Sequence, residues 1–121
     1  MNKCLGIGYW NLAIAVALGA FGAHALKTRI EEHYLEIFKT GQLYHFVLSV
    51  VLITICFLIA KHKFAETAFW LVFFGMWIFA GSLYLLAITQ IGWLGAITPL
   101  GGVLIIGGTT WFGLKLSMTK D

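Results

Sequence analysis

Two histidines lie in strongly apolar stretches of the chain, and their side chains are the best suited to chemistry. His24 stands within GAFGAHALKTR, one helical turn before Lys27, and His45 ends QLYH, one turn after Gln42. Polar side chains inside apolar helices are costly and often functional. Imidazoles in this setting suggest a metal site, a haem or quinone pocket, or a proton relay.

A structural role competes with each of these functions. Two histidines are fewer than the ligands that zinc takes, and Glu36 or His33 would join them only if the intervening segment folded back over the helices. Polar side chains between membrane helices commonly donate hydrogen bonds that tie the helices together. We therefore expect no metal, no cofactor and no catalytic residue. The candidate polar layer comprises His24, Gln42, His45, Ser82 and Tyr84.

Other signatures of enzymes and transporters are weak. The long apolar stretches contain no Asp or Glu, which disfavours an ion-coupled transporter, because such proteins usually place a carboxylate in the membrane. Ser49 and Ser82 have no neighbouring base in the sequence. The glycines of GIGYWNLAIAVALG follow no strand, so they do not form a nucleotide-binding fingerprint.

The composition identifies lipid as the solvent of the fold. Of 121 residues, 60% are hydrophobic and 11% are charged, whereas about 25% of the residues in a soluble domain are charged. The length allows one integral membrane domain, residues 1–121. The net charge of +3 is spread over both ends of the helices, which favours contact with lipid headgroups over nucleic-acid binding.

Charged residues divide the chain into membrane spans. A helix needs about 20 apolar residues to cross the hydrocarbon core, and the runs 4–26 and 42–60 each fit one crossing. The run 67–114 is too long for one crossing, and TQIGWLG breaks it with a polar pair and two glycines. We predict four transmembrane helices, at residues 4–26, 42–60, 67–90 and 93–114.

The segment between the first two spans predicts a separate helix, about residues 29–40. Thr28 and Glu31 have the spacing of a capping box, and Gly41 is placed as a terminator. The apolar residues that recur at helical spacing form one face: Ile30, Tyr34, Ile37 and Phe38. We expect a short amphipathic helix that lies in the membrane interface.

Small residues indicate how the spans pack. In lipid, helices associate through close approach at small side chains and through interhelical hydrogen bonds. Each span carries a stripe of small or polar residues with a period near seven, which favours a left-handed four-helix bundle. The expected packing positions are Gly19, Gly22, Gly75, Ser82, Gly95 and Gly102. Other faces carry Gly101, Gly107 and Gly108 and offer a second surface for a homo-oligomer.

Basic residues suggest the orientation. The end with both termini and the 61–66 loop has five Lys or Arg residues against three at the other end, which favours cytoplasmic termini. Cys4 and Cys56 then lie toward the cytoplasm and are expected to be free thiols. Residues 1–25 imitate a secretory signal, but their apolar run exceeds the usual length of about 7 to 15 residues, so we expect no cleavage.

The chain resembles the bacterial membrane family catalogued as domain of unknown function 423, which has small mitochondrial relatives. The resemblance covers nearly the whole chain and is carried by GAFGAHALK, the glutamine and histidine of QLYH, GSLYLL and TPLGG. It implies a four-span protein of the bacterial inner membrane. It implies no reaction and assigns no role to any residue.

Two classes of function fit this sequence. The first is a non-enzymatic membrane component that self-associates or supports a partner or the bilayer. The second is a carrier or channel for a small or lipidic molecule, which would use a polar layer around His24, His45, Ser82 and Tyr84. A carrier needs a cavity that reaches this layer, whereas the first class has a packed centre. TPLGG is expected to kink the fourth span and not to unwind it around a ligand.

Overall fold

Four long helices make up the fold, in a computed structural model that describes residues 1–120. The helices are α1 (Asn2–Phe21), α2 (Glu32–Ile59), α3 (Phe64–Thr89) and α4 (Thr98–Ser117). A π-helical turn, Gly22–Leu26, continues α1, and a 3-10 turn, Gly92–Ala96, precedes α4. With these turns included, four helical segments are long and apolar enough to cross a membrane, as predicted.

The helices pack in chain order. Within residues 1–120, Cα atoms approach within 8 Å between α1 and α2, between α2 and α3, and between α3 and α4, but not between α1 and α4. The bundle is therefore open. Its centre is formed by α2 and α3, which supply fully buried side chains such as Leu52 and Met76. The outer helices α1 and α4 expose large apolar side chains such as Trp10 and Val103.

One continuous helix replaces the separate interfacial helix that the sequence suggested. Helix α2 begins at Glu32 and runs through Gly41 to Ile59. A Cβ added at Gly41 would lie 3.1 Å from Leu83 Cβ and 3.2 Å from the Ala80 carbonyl oxygen, so α3 packs directly against the backbone there. The prediction is wrong because a glycine at a close helix crossing looks, in sequence, like a glycine that ends a helix.

Close helix approaches occur at glycines, but on α4 these are not the predicted ones. A Cβ added at Gly75 of α3 would lie 3.0 Å from the Gly101 carbonyl oxygen of α4. The buried glycines of α4 are Gly101 and Gly108, which the sequence had assigned to a second surface. Added Cβ atoms at the predicted packing positions Gly95 and Gly102 would make ordinary contacts of 3.7 and 3.8 Å.

The start of α4 explains this difference. The predicted stripe assumes a continuous helix from residue 93, but residues 92–96 form a 3-10 turn with about 3.0 residues per turn. Thr98 and Pro99 then begin α4, where proline lacks only an N–H group that the first turn does not use. TPLGG is therefore the start of a helix and not a kink within one.

A disulfide joins Cys4 of α1 to Cys56 of α2, with Cα atoms 5.8 Å apart. Because α1 and α2 are antiparallel neighbours, the first turn of α1 lies beside the last turn of α2. Cys56 is fully buried and Cys4 is partly buried. The expectation of free thiols is wrong, because a separation of 52 residues hides a contact that only the helix pairing creates.

Candidate functional site

Three buried side chains form a hydrogen-bonded chain across α1, α2 and α3. His45 of α2 lies between Asn11 of α1 and Tyr84 of α3 and has no exposed surface. The His45 Nδ1 atom lies 2.9 Å from the Tyr84 hydroxyl, and the Nε2 atom lies 3.3 Å from Asn11 Oδ1. We call Asn11, His45 and Tyr84 the central network.

The hydrogen bonds of the central network have one consistent direction. Asn11 Nδ2 donates to the Ile7 carbonyl oxygen at 2.8 Å, so Oδ1 is left to face His45 as an acceptor. The Nε2–H group of His45 therefore donates to Asn11, which leaves Nδ1 to accept from the Tyr84 hydroxyl. A singly protonated imidazole therefore satisfies both of its ring nitrogens within the chain.

Two aromatic rings and a serine surround the central network. Trp77 packs on the His45 imidazole with ring centroids 4.8 Å apart, and Phe38 packs on the Tyr84 ring at 5.0 Å. Ser49, one turn after His45, donates back to the His45 carbonyl oxygen at 2.7 Å. In the part of the chain that the structure describes, every buried side-chain nitrogen and oxygen has a hydrogen-bond partner. The centre is therefore buried, polar and fully hydrogen-bonded.

Two surface cavities are lined by residues outside the central network. A cavity of about 250 Å³ between α1 and α2 is lined by Gly19, Gly22, Ala23, Phe38, Lys39 and Gln42. A second cavity, of about 500 Å³, lies beside the disulfide and is lined by residues that include Cys4 and Trp70. Neither lining includes a member of the central network. Among residues 1–120, no group of three His, Cys, Asp or Glu side chains is placed to hold a metal ion.

Comparison with known proteins assigns the family. The family model described as "Protein of unknown function (DUF423)" matches residues 18–102. The chain belongs to this family. It is 44% identical over 123 residues to the UPF0382 membrane protein YwdK of Bacillus subtilis strain 168, across 99% of this chain and 98% of that protein. It is 41% identical to the UPF0382 membrane protein SAB0533 of Staphylococcus aureus, with the same coverage. No solved structure matches the chain.

This DUF423 chain brings together only part of the polar layer considered from its sequence. His45 and Tyr84 are bonded to each other. Gln42, one turn before His45, donates to the Ala15 carbonyl oxygen of α1 at 3.2 Å and so makes a separate link between α1 and α2. These two links lie one helical turn apart along α2, so the α1–α2 contact is tied twice.

His24 lies outside the layer. Its ring is exposed, and the interhelical side-chain hydrogen bonds of residues 1–120 involve other residues. Gly22 and Leu26 face the bundle four residues apart, which turns His24 to the opposite side. A Cβ added at Gly22 would lie 2.8 Å from the Phe38 ring, so Phe38, and not His24, packs into the space beside Gly22. The expectation that His24 ties two helices is wrong.

Two residues that make interhelical hydrogen bonds were not among those predicted from the sequence. Asn11 lies one turn from Gly8 on the packing stripe of α1, and that position is the signal that could have identified it. The Thr98 and Ser82 hydroxyls are hydrogen-bonded to each other where α3 contacts the first turn of α4. Because the Ser82 hydroxyl donates its one hydrogen to the Phe79 carbonyl oxygen, Thr98 is the donor to Ser82.

Proposed function

We propose that this DUF423 chain is a non-enzymatic component of the bacterial cell membrane that associates with copies of itself. The observation that carries the non-enzymatic part is the closed central network. His45 is fully buried, both of its ring nitrogens are bonded within the chain, and the surface cavities described above have other linings. A carrier or channel would need a cavity that reaches this polar centre, so the packing supports a structural role.

The outer face of α4 supports self-association. Thr109, Gly113 and Ser117 recur every four residues and are all exposed. A Cβ added at Gly113 would meet no atom within 4 Å. The Thr109 and Ser117 hydroxyls donate to carbonyl oxygens of α4 at 2.7 and 2.8 Å, so a neighbouring helix would leave no donor unpaired. Small residues at this spacing let two membrane helices approach closely.

Native mass spectrometry from mild detergent tests this proposal. The chain has a mass of 13.4 kDa, and we expect a complex whose mass is a multiple of that value. Gly113→Leu should shift the population to the single chain, because leucine would hold two α4 helices apart. The matched control is Gly6→Leu on α1, where an added Cβ also meets no atom within 4 Å. A monomeric wild-type protein, or equal dissociation in both variants, would contradict self-association through α4.

We propose that both termini face the cytoplasm. Five basic residues lie at their end of the helices and three at the other, which favours this orientation. The Cys4–Cys56 disulfide lies at the same end, where cytoplasmic reductants act. Cys56 is fully buried, so a soluble thiol would have to attack the sulfur of the partly buried Cys4. A reporter domain fused to the C-terminus should be active in its cytoplasmic form, and extracytoplasmic activity would reverse the orientation.

A further inference from the structure

A groove between α1 and α2 lies apart from the central network and from the α4 face. Gly19 and Gly22 form its floor, and two side chains of α2 fold onto them. A Cβ added at Gly19 would lie 2.9 Å from Gln42 Nε2, and one added at Gly22 would lie 2.8 Å from the Phe38 ring. Ala23 and Lys39 complete the lining of this cavity of about 250 Å³. The π-helical turn begins at Gly22, and such turns are frequent at functional sites.

The groove lies at the level of the lipid headgroups. Residues 40–60 of the chain contain no Asp, Glu, Lys or Arg. At about 1.5 Å per residue, this stretch covers roughly 30 Å, the thickness of the hydrocarbon core. Lys39 is the last charged residue before this stretch, so its amine stands at the boundary where lipid phosphates lie.

Two polar groups of the groove have spare hydrogen-bonding capacity. The Gln42 amide nitrogen has two hydrogens and uses one for the Ala15 carbonyl oxygen at 3.2 Å, which leaves the second for a ligand. The Lys39 amine lies 3.7 Å from a Glu36 carboxylate oxygen, and both side chains are exposed. An exposed ion pair of this length contributes little, so another anion can take the place of Glu36.

We propose that this groove binds the phosphodiester headgroup of an anionic phospholipid. Lys39 and Gln42 donate to the phosphate oxygens, while Gly19 and Ala23 contact the apolar carbons beside the headgroup. Lys39 is the one cation in the lining, so a headgroup with its own ammonium group is disfavoured by repulsion between like charges. The cavity has room for a headgroup and not for a whole lipid, which leaves the acyl chains along the outer surfaces of α1 and α2. This site does not depend on self-association.

Native mass spectrometry with added lipid tests the site. Delipidated protein is mixed with phosphatidylglycerol or with phosphatidylcholine of the same acyl chains, and the retained lipid is counted for each chain. We expect roughly fivefold stronger retention of phosphatidylglycerol, since one basic residue near lipid phosphate contributes about 1 kcal/mol. Lys39→Gln should remove the preference. Lys27→Gln, which removes an exposed cation at the same end but outside the groove, should keep it.

A second variant fills the groove without changing its charge. Ala23 is exposed and lines the cavity, so Ala23→Leu should fold with an unchanged melting temperature and retain less phosphatidylglycerol. Millimolar inorganic phosphate should not displace the lipid, and displacement would mean that the site takes free phosphate. Equal retention of both lipids by the wild-type protein would show only general lipid contact. Equal losses in Lys39→Gln and Lys27→Gln would show only surface charge. Each of these three results overturns the proposal.

Discussion

At the scale of single residues, side-chain reach decides which polar groups join helices in this bundle. Most short hydroxyls return to their own helix, as Ser49 does to the His45 carbonyl oxygen and Thr54 to that of Val51. The Ser82–Thr98 bond is the exception, at the contact of α3 with the first turn of α4. Longer planar side chains reach a neighbour, as the His45 imidazole does on both sides. A single histidine in the middle helix can therefore tie three helices, which a serine at that position could not do.

Tyr84→Phe should destabilise the protein, because it leaves His45 Nδ1 buried without a donor. An interhelical hydrogen bond of this kind contributes roughly 0.6 to 2 kcal/mol, so we expect a lower melting temperature in detergent and a protein that still folds. Tyr44→Phe makes the same chemical change on an exposed side chain of α2 and should leave the melting temperature nearly unchanged. If the two variants melt at the same temperature, the Tyr84–His45 bond has no stabilising role.

The sequence made His24 and His45 look equivalent, and only the packing separates them. Both are single imidazoles in apolar helical sequence, on the same predicted side of the membrane. Gly22 and Leu26, four residues apart, face the bundle, and His24 between them points away from it. Asn11 faces another helix from the small-residue stripe of α1, although it was not among the polar residues expected to join helices.

At the scale of helices, each consecutive pair crosses at a glycine. Gly8 of α1 faces Ile53 of α2, Gly41 of α2 faces α3, and Gly101 of α4 lies against Gly75 of α3. Small residues at such crossings let backbones approach, which replaces the burial of large apolar side chains as the source of association in lipid. The α3–α4 crossing brings two backbones into direct contact, so it is the least tolerant of added atoms.

Gly101→Ala should lower the melting temperature more than Gly107→Ala. A Cβ at Gly101 would lie 2.7 Å from the Gly75 carbonyl oxygen, and backbone atoms cannot move aside as a flexible side chain can. Overpacking of this kind costs about 1 to 3 kcal/mol. Gly107 offers the same substitution on the same helix, and an added Cβ there meets no atom within 4 Å. Similar melting temperatures for the two variants would contradict the α3–α4 crossing described here.

The number of helices follows from charge spacing and bilayer thickness, but their registers do not. Lys61 and Lys63 mark the end of one crossing, and TQIGWLG marks the next. The stripe predicted on α4 is displaced because a 3-10 turn interrupts the count of residues before Thr98. In the sequence, Gly41 resembles a residue that ends a helix. The residues of α3 that it contacts are 39 or more positions away, so the local sequence pattern carries no information about them.

At the scale of the whole molecule, the open order of the helices divides it into a closed centre and two free edges. The central network and the Gln42–Ala15 link hold α1, α2 and α3 together. The fourth helix is attached by its glycine crossing and by the Ser82–Thr98 bond. The outer faces of α1 and α4 are then left for lipid or for another chain, whereas the polar centre is buried.

Nitrogen-15 NMR of the His45 ring tests most directly whether that centre is enclosed. With histidine-labelled protein in lipid nanodiscs, we predict a protonated Nε2, a bare Nδ1, and a ring proton that persists after transfer to D2O. The exposed His24 ring provides the internal reference for rapid exchange. A protonated Nδ1 with a bare Nε2 would contradict the hydrogen-bond direction. Exchange at His45 as fast as at His24 would show that water reaches the ring, and it would restore the carrier or channel as the better account.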